Sequence, residues 1–460
     1  MSILTDFEEF AIYDCRFEPK ENDAATTART EYFRFDRFDE HWEHIQELFS
    51  KEAVQQGSLD ALTTEKKRGT QPVDKAFLRE IEGWRKALAI EIHCNNPTLD
   101  RFELNYAVQV TIDRIVFLRV SEDRGVEEYG RLEELLEGSD VYRKLGNLFK
   151  EADERYNSGL FHFSNEKNRG EPDDWTLNLG IRDETLKQVI EGLYPPKSPY
   201  QFSVMPVEIL GQTYEQFLGS VIRIEDGDTG ECSDGVVIEE KPEVKKAGGV
   251  YYTPSYIVDY IVEHTVGELV KSKSPKEVAE LKIVDPACGS GSFLIGVYDY
   301  LLNWHLQWYV DNNPTKHKNA VFEHEYLTDD GIATEWRLTA SKKREILLNN
   351  VHGVDIDVQA VEVTKLSLLL KVLEGETSET VNSQPSFFRE RALPDLGENI
   401  KDGNSLIGSD YYGAQQLSLL DKEERRRVNV FDWDSAYGFP KIFSEQQRCC
   451  WRIRERRRIL

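Results

Sequence analysis

No apolar run of about 18 residues, the minimum for a membrane span, occurs in this 460-residue sequence, and nothing at its start reads as a signal peptide. A soluble, cytoplasmic protein is expected. Cysteine is scarce. The six present (Cys15, Cys94, Cys232, Cys288, Cys449, Cys450) show no CxxC spacing and no partnering histidines. That argues against a zinc site or a disulfide framework and suits a reducing compartment. Positive charge is in deficit, with 57 Lys and Arg against 83 Asp and Glu and a net charge of −26. Contacts to DNA phosphates need Lys and Arg. Either the acid coats surfaces away from a local basic cleft, the preferred reading, or the most basic parts of a parent protein lie outside this chain. An internal repeat of roughly 20–50 residues is also missing, which excludes a solenoid. What remains is the composition of a folded protein, 40% hydrophobic and 11% aromatic. The length calls for about two or three domains.

Along the chain, Leu4 to Asp14 reads as a strand, which needs neighbours to pair with. Residues 39–55 have helical spacing, with Trp42, Ile45, Leu48 and Phe49 on one face. Residues 57–74 are polar, with Gly57, Gly69 and Pro72, and read as a linker. Helices are predicted over about 75–93 and 101–123, the second from Leu104, Val108, Ile112, Ile115 and Val116. Arg114, Arg119 and Arg124 lie along or just beyond it as a solvated charged face or as ion pairs, with DNA phosphate as the alternative. Further helices fall at 130–153 and 205–222. Residues 223–248 read as a loop or ribbon, and from Val250 onward helices alternate with short buried strands.

The chemistry begins at residues 281–297, LKIVDPACGSGSFLIGV. A strand ends at Asp285; Pro286, Ala287, Cys288, Gly289, Ser290 and Gly291 form a turn, and a helix starts at Phe293. Strand, glycine-rich turn and helix open a nucleotide-binding doubly wound sheet. The glycines admit a close ligand, and the N–H groups at the helix start favour a carboxylate or phosphate. An ordinary turn is the bland alternative. About 65 residues on, Val351 to Asp357 is a second strand ending in acids. Asp355 is the candidate for ribose hydroxyls. Ile356 is placed to pack on adenine, and Asp357 suits a helix N-cap. A third strand end runs from Asn399 to Leu406, where Asn404 is either an adenine-edge contact or part of a turn. Upstream, Thr253 and Pro254 read as N-cap and first residue of a helix over 255–271.

Together these segments carry a resemblance. Tyr251-Tyr252-Thr253-Pro254, Asp285-Pro286-Ala287-Cys288-Gly289-Ser290-Gly291-Ser292-Phe293-Leu294, Gly353-Val354-Asp355-Ile356-Asp357 and Gly403-Asn404-Ser405-Leu406 occur in order. The chain resembles the gamma-class adenine-specific (N6) DNA methyltransferases, above all the type IIG restriction–modification enzymes. Residues 77–84, 105–125 and 210–219 are similar to the helical connector of that family, so the likeness runs from about residue 4 to 443. The resemblance implies an α/β fold: a doubly wound, Rossmann-like methyltransferase core preceded by an α-helical connector. It implies S-adenosylmethionine as cofactor and double-stranded DNA as partner. Tyr251, Thr253 and the turn from Asp285 through Pro286, Ala287, Cys288, Gly289 and Gly291 to Phe293 would hold the methionine end. Asp355 would hold the ribose, Ile356 the adenine face and Asn404 the adenine amino group; an Asp is common at the position of Asn404.

The resemblance breaks after Phe443. The family flips its target base and holds it with Asn-Pro-Pro-Tyr, which this sequence lacks. The stretch from Phe431 to Phe443 leads instead into 448–460, where six of thirteen residues are Arg. A frame change explains where that stretch begins; a basic DNA-binding tail is the alternative. The expected organisation is a nuclease-end remnant with a helix (1–56), linker (57–74), helical connector (75–204), core incomplete at its C-terminal side (205–445) and aberrant tail (446–460). The chain is expected to bind cofactor yet carry no catalytic residue of its own, a separately encoded remainder being a candidate partner. A non-catalytic scaffold, or a methyltransferase acting on RNA or a small molecule, are the rival readings.

Overall fold

In a computed structural model, the described residues are 2–5, 8–13, 24, 26–50, 53, 73–156, 159–165, 172–198, 200–203, 205, 207, 211, 213–214, 218–225, 235–241, 253–328, 331–376, 393–412 and 422–443. They fall into two compact units, Met1–Phe77 with Glu191–Tyr200, and Leu78–Ile190 with Gln201–Leu460. The linker expected over 57–74 and the tail 446–460 lie outside the described residues, save 73–74.

In the first unit the opening segment is two strands rather than one. β1 (Ser2–Thr5) pairs antiparallel with β2 (Glu9–Tyr13), and β2 with β3 (Arg29–Arg34). The sequence read as one strand because its apolar pattern runs on through the reversal between Thr5 and Glu9. Helix Phe38–Phe49 buries Leu48 and sets Phe49 edge-on to Phe10 at 5.2 Å, but Trp42 is 59% exposed. The face is narrower than spacing suggested, because a three-stranded sheet covers only one side of the helix.

The second unit is built around helix Arg101–Asp123. Asp100 caps it, accepting from Phe102 and Glu103 N–H while Glu103 returns to the Asp100 N–H. Leu104 to Glu122 are almost wholly buried. Helices apolar on one face lie at a surface, whereas this one is enclosed all round. Its arginines are therefore not a solvated face. Arg114 and Arg119 are 1% and 2% exposed; Arg119 pairs with Asp123 at 2.5 Å, and Arg124 Nη1 donates to Leu370 O at 2.7 Å. Arg114 and Arg119, with their donors turned inward, present no phosphate-binding surface; Arg124 is half-buried.

Asp113 on the same helix is fully buried, and burial pushes its carboxyl up to about 7 against the hydrogen bonds from Gln109 and Tyr214. A carboxyl whose pKa is raised on folding holds its proton more tightly in the folded chain. Stability is then greatest below the ordinary aspartate range and falls as pH rises toward 7. Asp113→Asn, which keeps an acceptor for Gln109, is expected to gain about 2–4 kcal/mol on wild type between roughly pH 4 and pH 8. Thermal melts across that range check it, and a difference that does not widen with pH would contradict it.

Helix Val141–Arg155 follows, starting later and ending two residues beyond the helix expected over 130–153; only a short 3-10 turn, Glu133–Leu136, precedes it in that stretch. The helix expected over 205–222 gives way at Ser220 to β4 (Ser220–Ile224), which pairs antiparallel with β5 (Val236–Glu240) as a ribbon. Val221 and Ile222 belong equally to a helical or an extended apolar pattern, and pairing with β5 decides for the strand. Cys94 is disulfide-bonded, although the cysteine spacing argues against a disulfide framework. One bond needs only two Cβ atoms brought close by the fold, which spacing along the chain does not reveal.

The site rests on a parallel sheet in the order β10–β9–β6: β6 (Ile283–Asp285), β9 (Val351–Asp355) and β10 (Ile400–Asp402). Parallel strands need helical crossovers. Ser292–Asp311 and Ala340–Asn350 supply those between β6 and β9, and Val358–Val372 the one between β9 and β10. The first crossover also contains a hairpin, β7 (Val321–Thr328) with β8 (Gly331–Leu338). The segment before Phe443 covers the sheet: Phe431, Phe439 and Ile442 pack with Val354 in one buried cluster.

Candidate functional site

In a parallel sheet all strands finish at the same edge, so the three acids that end β6, β9 and β10 are brought together. Asp285 is in register with Gly353, and Asp355 with Asp402. The carboxyl end of such strands is where open α/β sheets bind ligands.

The glycine turn leaves β6 here. Asp285 Oδ1 accepts the Ala287 N–H at 3.0 Å, and Cys288 N–H returns to Val354 O at 3.0 Å. Gly289 (φ +53°) and Gly291 (φ +85°) both adopt left-handed backbone, which glycine alone takes at little cost. The two differ in what surrounds them. A Cβ on Gly289 would meet nothing within 4 Å, whereas one on Gly291 would lie 2.8 Å from Thr364 Cγ2. Gly291 is therefore required by packing against helix Val358–Val372, and Gly289 faces open space. The buried thiol of Cys288 and the side chain of Leu294 fill the room that Gly353 leaves on β9. Pro286 is half-buried, Ala287 exposed, and Phe293 half-buried in the first turn of helix Ser292–Asp311.

Asp355 ties the turn to the second strand. Its Oδ2 accepts the Gly289 N–H at 2.9 Å and its Oδ1 the Asp357 N–H at 2.9 Å. Each oxygen keeps acceptor capacity for a second donor. Burial raises the Asp355 and Asp285 carboxyls and backbone N–H donors oppose it; the charge of Asp355 further raises Asp285, and that of Asp357 further raises Asp355. Asp357 is the N-cap of helix Val358–Val372, accepting from Gln359 N–H at 3.0 Å. Ile356, between the two acids, is 49% exposed. Asn404 stands just past β10, its N–H bonded to Asn429 O and its Oδ1 accepting the Leu406 N–H at 3.1 Å. Turn and site edge thus coincide at that residue. Leu406 is 78% exposed beside it.

Thr253 is exposed and does not cap the helix. Pro254, with ψ 142°, takes the N-cap position rather than the first helical one, helix Ser255–Val262 starts where expected, and no side chain caps it. Proline's extended ψ ends the non-helical chain there, so Thr253 lies one residue too far upstream to reach the first-turn N–H groups. The helix runs on through a wider turn, Glu263–Gly267, to Val270, close to the predicted end. Tyr251 lies outside the described residues.

Residues 266–411 match the family "MmeI, DNA-methyltransferase domain". Over 441 residues the chain is 36% identical to "Type II restriction enzyme and methyltransferase RM.Eco57I" of Escherichia coli, covering 94% of this chain and 40% of that protein. The chain belongs to the type IIG restriction–modification family. A "Putative type II restriction enzyme and methyltransferase" of Methanocaldococcus jannaschii is 26% identical over 75% of this chain and 31% of its own length. "Adenine-specific methyltransferase PglX" of Streptomyces coelicolor is 25% identical over 39% of this chain and 12% of its own. This chain thus spans well under half the length of each of these relatives.

The part of this type IIG chain that matches the methyltransferase domain contains all three parallel strands, the glycine turn and Asn404, while Thr253 precedes it. Two residues beside the site escaped the sequence reading. Thr364 Oγ1 donates to Gly289 O at 2.8 Å and so fixes the turn from the far helix. Lys241, just after β5, pairs with Asp357. No motif marks either, since each acts through a contact distant in the chain. No helix among the described residues is long and apolar enough to cross a membrane.

Proposed function

We propose that the chain binds S-adenosylmethionine at the carboxyl end of β6, β9 and β10, within a Rossmann-like methyltransferase core serving adenine N6 methylation of double-stranded DNA. The observation that carries this reading is the Asp355 carboxylate holding the Gly289 N–H, with the missing Gly289 side chain facing open space. The residues fit the group. Gly289, Gly291 and the turn from Asp285 to Phe293 would cradle its methionine end, with Tyr251 and Thr253 upstream. Asp355 would accept from ribose hydroxyls, and Ile356 and Asn404 would border the adenine. When bound, the cofactor supplies an electrophilic methyl group on sulfur. The chain's own part is to bind, orient and exclude water, and alignment accounts for much of the rate in an in-line transfer. The relatives' names carry the substrate class: restriction enzymes and methyltransferases, one of them adenine-specific.

These 460 residues hold no Asn-Pro-Pro-Tyr, the set that would accept hydrogen bonds from the target amino group and stack on a flipped base. The chain is therefore proposed to bind cofactor without completing the transfer alone. Calorimetry with S-adenosylmethionine tests the site. Asp355→Ala should weaken binding by about 1.5–3 kcal/mol, as for hydrogen bonds to a charged group, and equal affinities would remove the ribose assignment. In the same preparation, tritiated methyl transfer to adenine in DNA should stay at background, and incorporation above it would refute the incomplete-catalyst reading.

A further inference from the structure

The ribbon β4–β5 is held rigidly on its connector side. Asn105, 7% exposed, donates from Nδ2 to Ile222 O at 2.9 Å and accepts the Ile222 N–H at Oδ1 at 3.0 Å. Arg85, 2% exposed, donates from Nη2 to Ser220 O at 3.0 Å. Lys241 extends the ladder by one residue, its N–H bonded to Gly219 O at 2.8 Å. Its ammonium, with only 19% of the side chain exposed, pairs with Asp357 Oδ2. From there bonds run without a gap into the candidate cofactor site: Asp357 N–H to Asp355 Oδ1, and Asp355 Oδ2 from Gly289 N–H.

The charges around Asp355 are mostly of its own sign. Asp285 ends β6, Asp357 follows on the same loop and Asp402 is the register partner of Asp355 on β10, while burial, Asp355 and Asp285 hold the Cys288 thiol of the turn neutral. Lys241 is the cation that acts on it, while Arg85 acts on Asp357. Like charges this close disfavour ionisation, and a nearby opposite charge restores it. A carboxylate that accepts from ribose hydroxyls does so with full strength only when charged.

We propose that Lys241 is a positioning residue of the cofactor site: carried on a ribbon anchored by Asn105 and Arg85, its ammonium clamps Asp357 and keeps Asp355 a charged acceptor beside the Gly289 turn. The proposal rests on the cofactor reading above. It gives the connector a direct mechanical and electrostatic hold on the site, through a residue outside every motif.

The full chain with Lys241→Met and Lys241→Arg tests it in two ways. Without ligand, the carboxyl-carbon NMR titration of Asp355, assigned by its loss in Asp355→Asn, should move upward by about one pH unit in Lys241→Met. Lys241→Arg should leave it in place; an unmoved midpoint in Lys241→Met overturns the proposal. In calorimetry with S-adenosylmethionine, Lys241→Met should lose about tenfold in affinity near the Asp355 midpoint and return to within about twofold of wild type well above it. A loss equal at every pH marks Lys241 as a mere tether of ribbon to helix and also overturns the proposal. Should methionine unfold the chain, Lys241→Gln, which keeps length and a donor, carries the same expectations. Wild type that binds no cofactor at any pH overturns the cofactor reading alone, and the ligand-free titration still decides the part played by Lys241.

Discussion

Replacing Arg114 by methionine is expected to destabilise the fold by about 3–5 kcal/mol, the range for breaking a buried ion pair from one side. The guanidinium is 1% exposed and uses all three of its nitrogens: Nε donates to Leu160 O at 2.8 Å, Nη1 to Thr176 Oγ1 at 2.9 Å and Nη2 to Asp173 Oδ2 at 2.7 Å. Its plane also lies 4.6 Å from the ring centroid of Phe163. Methionine fills much of the volume but leaves Asp173, already raised by burial and lowered mainly by Arg114, without its cation. An uncompensated buried carboxylate is the larger part of the loss, so Arg114→Lys should recover some of it, though a lysine cannot make the same fork. Urea denaturation gives the number. The exposed Arg143, paired with Asp140 at 3.0 Å, is the control, and its removal should cost no more than about 1 kcal/mol. A loss at Arg114 no larger than at Arg143 would mean that the buried pair does not hold the connector together.

The second large effect separates the two glycines of the turn. Gly291→Val forces a β-branched residue into left-handed backbone and drives its Cβ to within 2.8 Å of Thr364 Cγ2, beside the hydroxyl that holds Gly289 O. Strain and overpacking each cost about 1–3 kcal/mol. The variant should melt lower and lose cofactor binding together. Gly289→Ala is the cleaner probe of the ligand. Its backbone strain costs about 1–2 kcal/mol, and its methyl group enters open space. If S-adenosylmethionine lies over this turn, Gly289→Ala should weaken its binding at least about tenfold, or roughly 1.4 kcal/mol, in a chain that still melts cooperatively. Affinity retained in a folded Gly289→Ala chain would place the ligand elsewhere.

The sequence by itself determined the elements and their order around the site. Strand, glycine turn and helix at 283–311, the strand ending at Asp355 and the short strand ending at Asp402 all stand where local patterns put them. Backbone geometry and apolar burial act over a few residues, and so leave a local signature. Family membership was legible for the same reason, since its segments are short, ordered and rich in glycine and acid. Tertiary structure alone decided what each side chain meets. Arg114 and Arg119 carry the pattern of a charged surface yet lie enclosed, because other parts of the second unit, among them helix Val358–Val372, close over their helix. Gly289 and Gly291 look alike in sequence, but Thr364, more than seventy residues away, stands against only one of them. Lys241 reaches Asp357 across 116 positions through a ribbon whose pairing no local pattern specifies. Coulomb and packing forces act through space, so partners distant in the chain leave no trace in the spacing of residues along it.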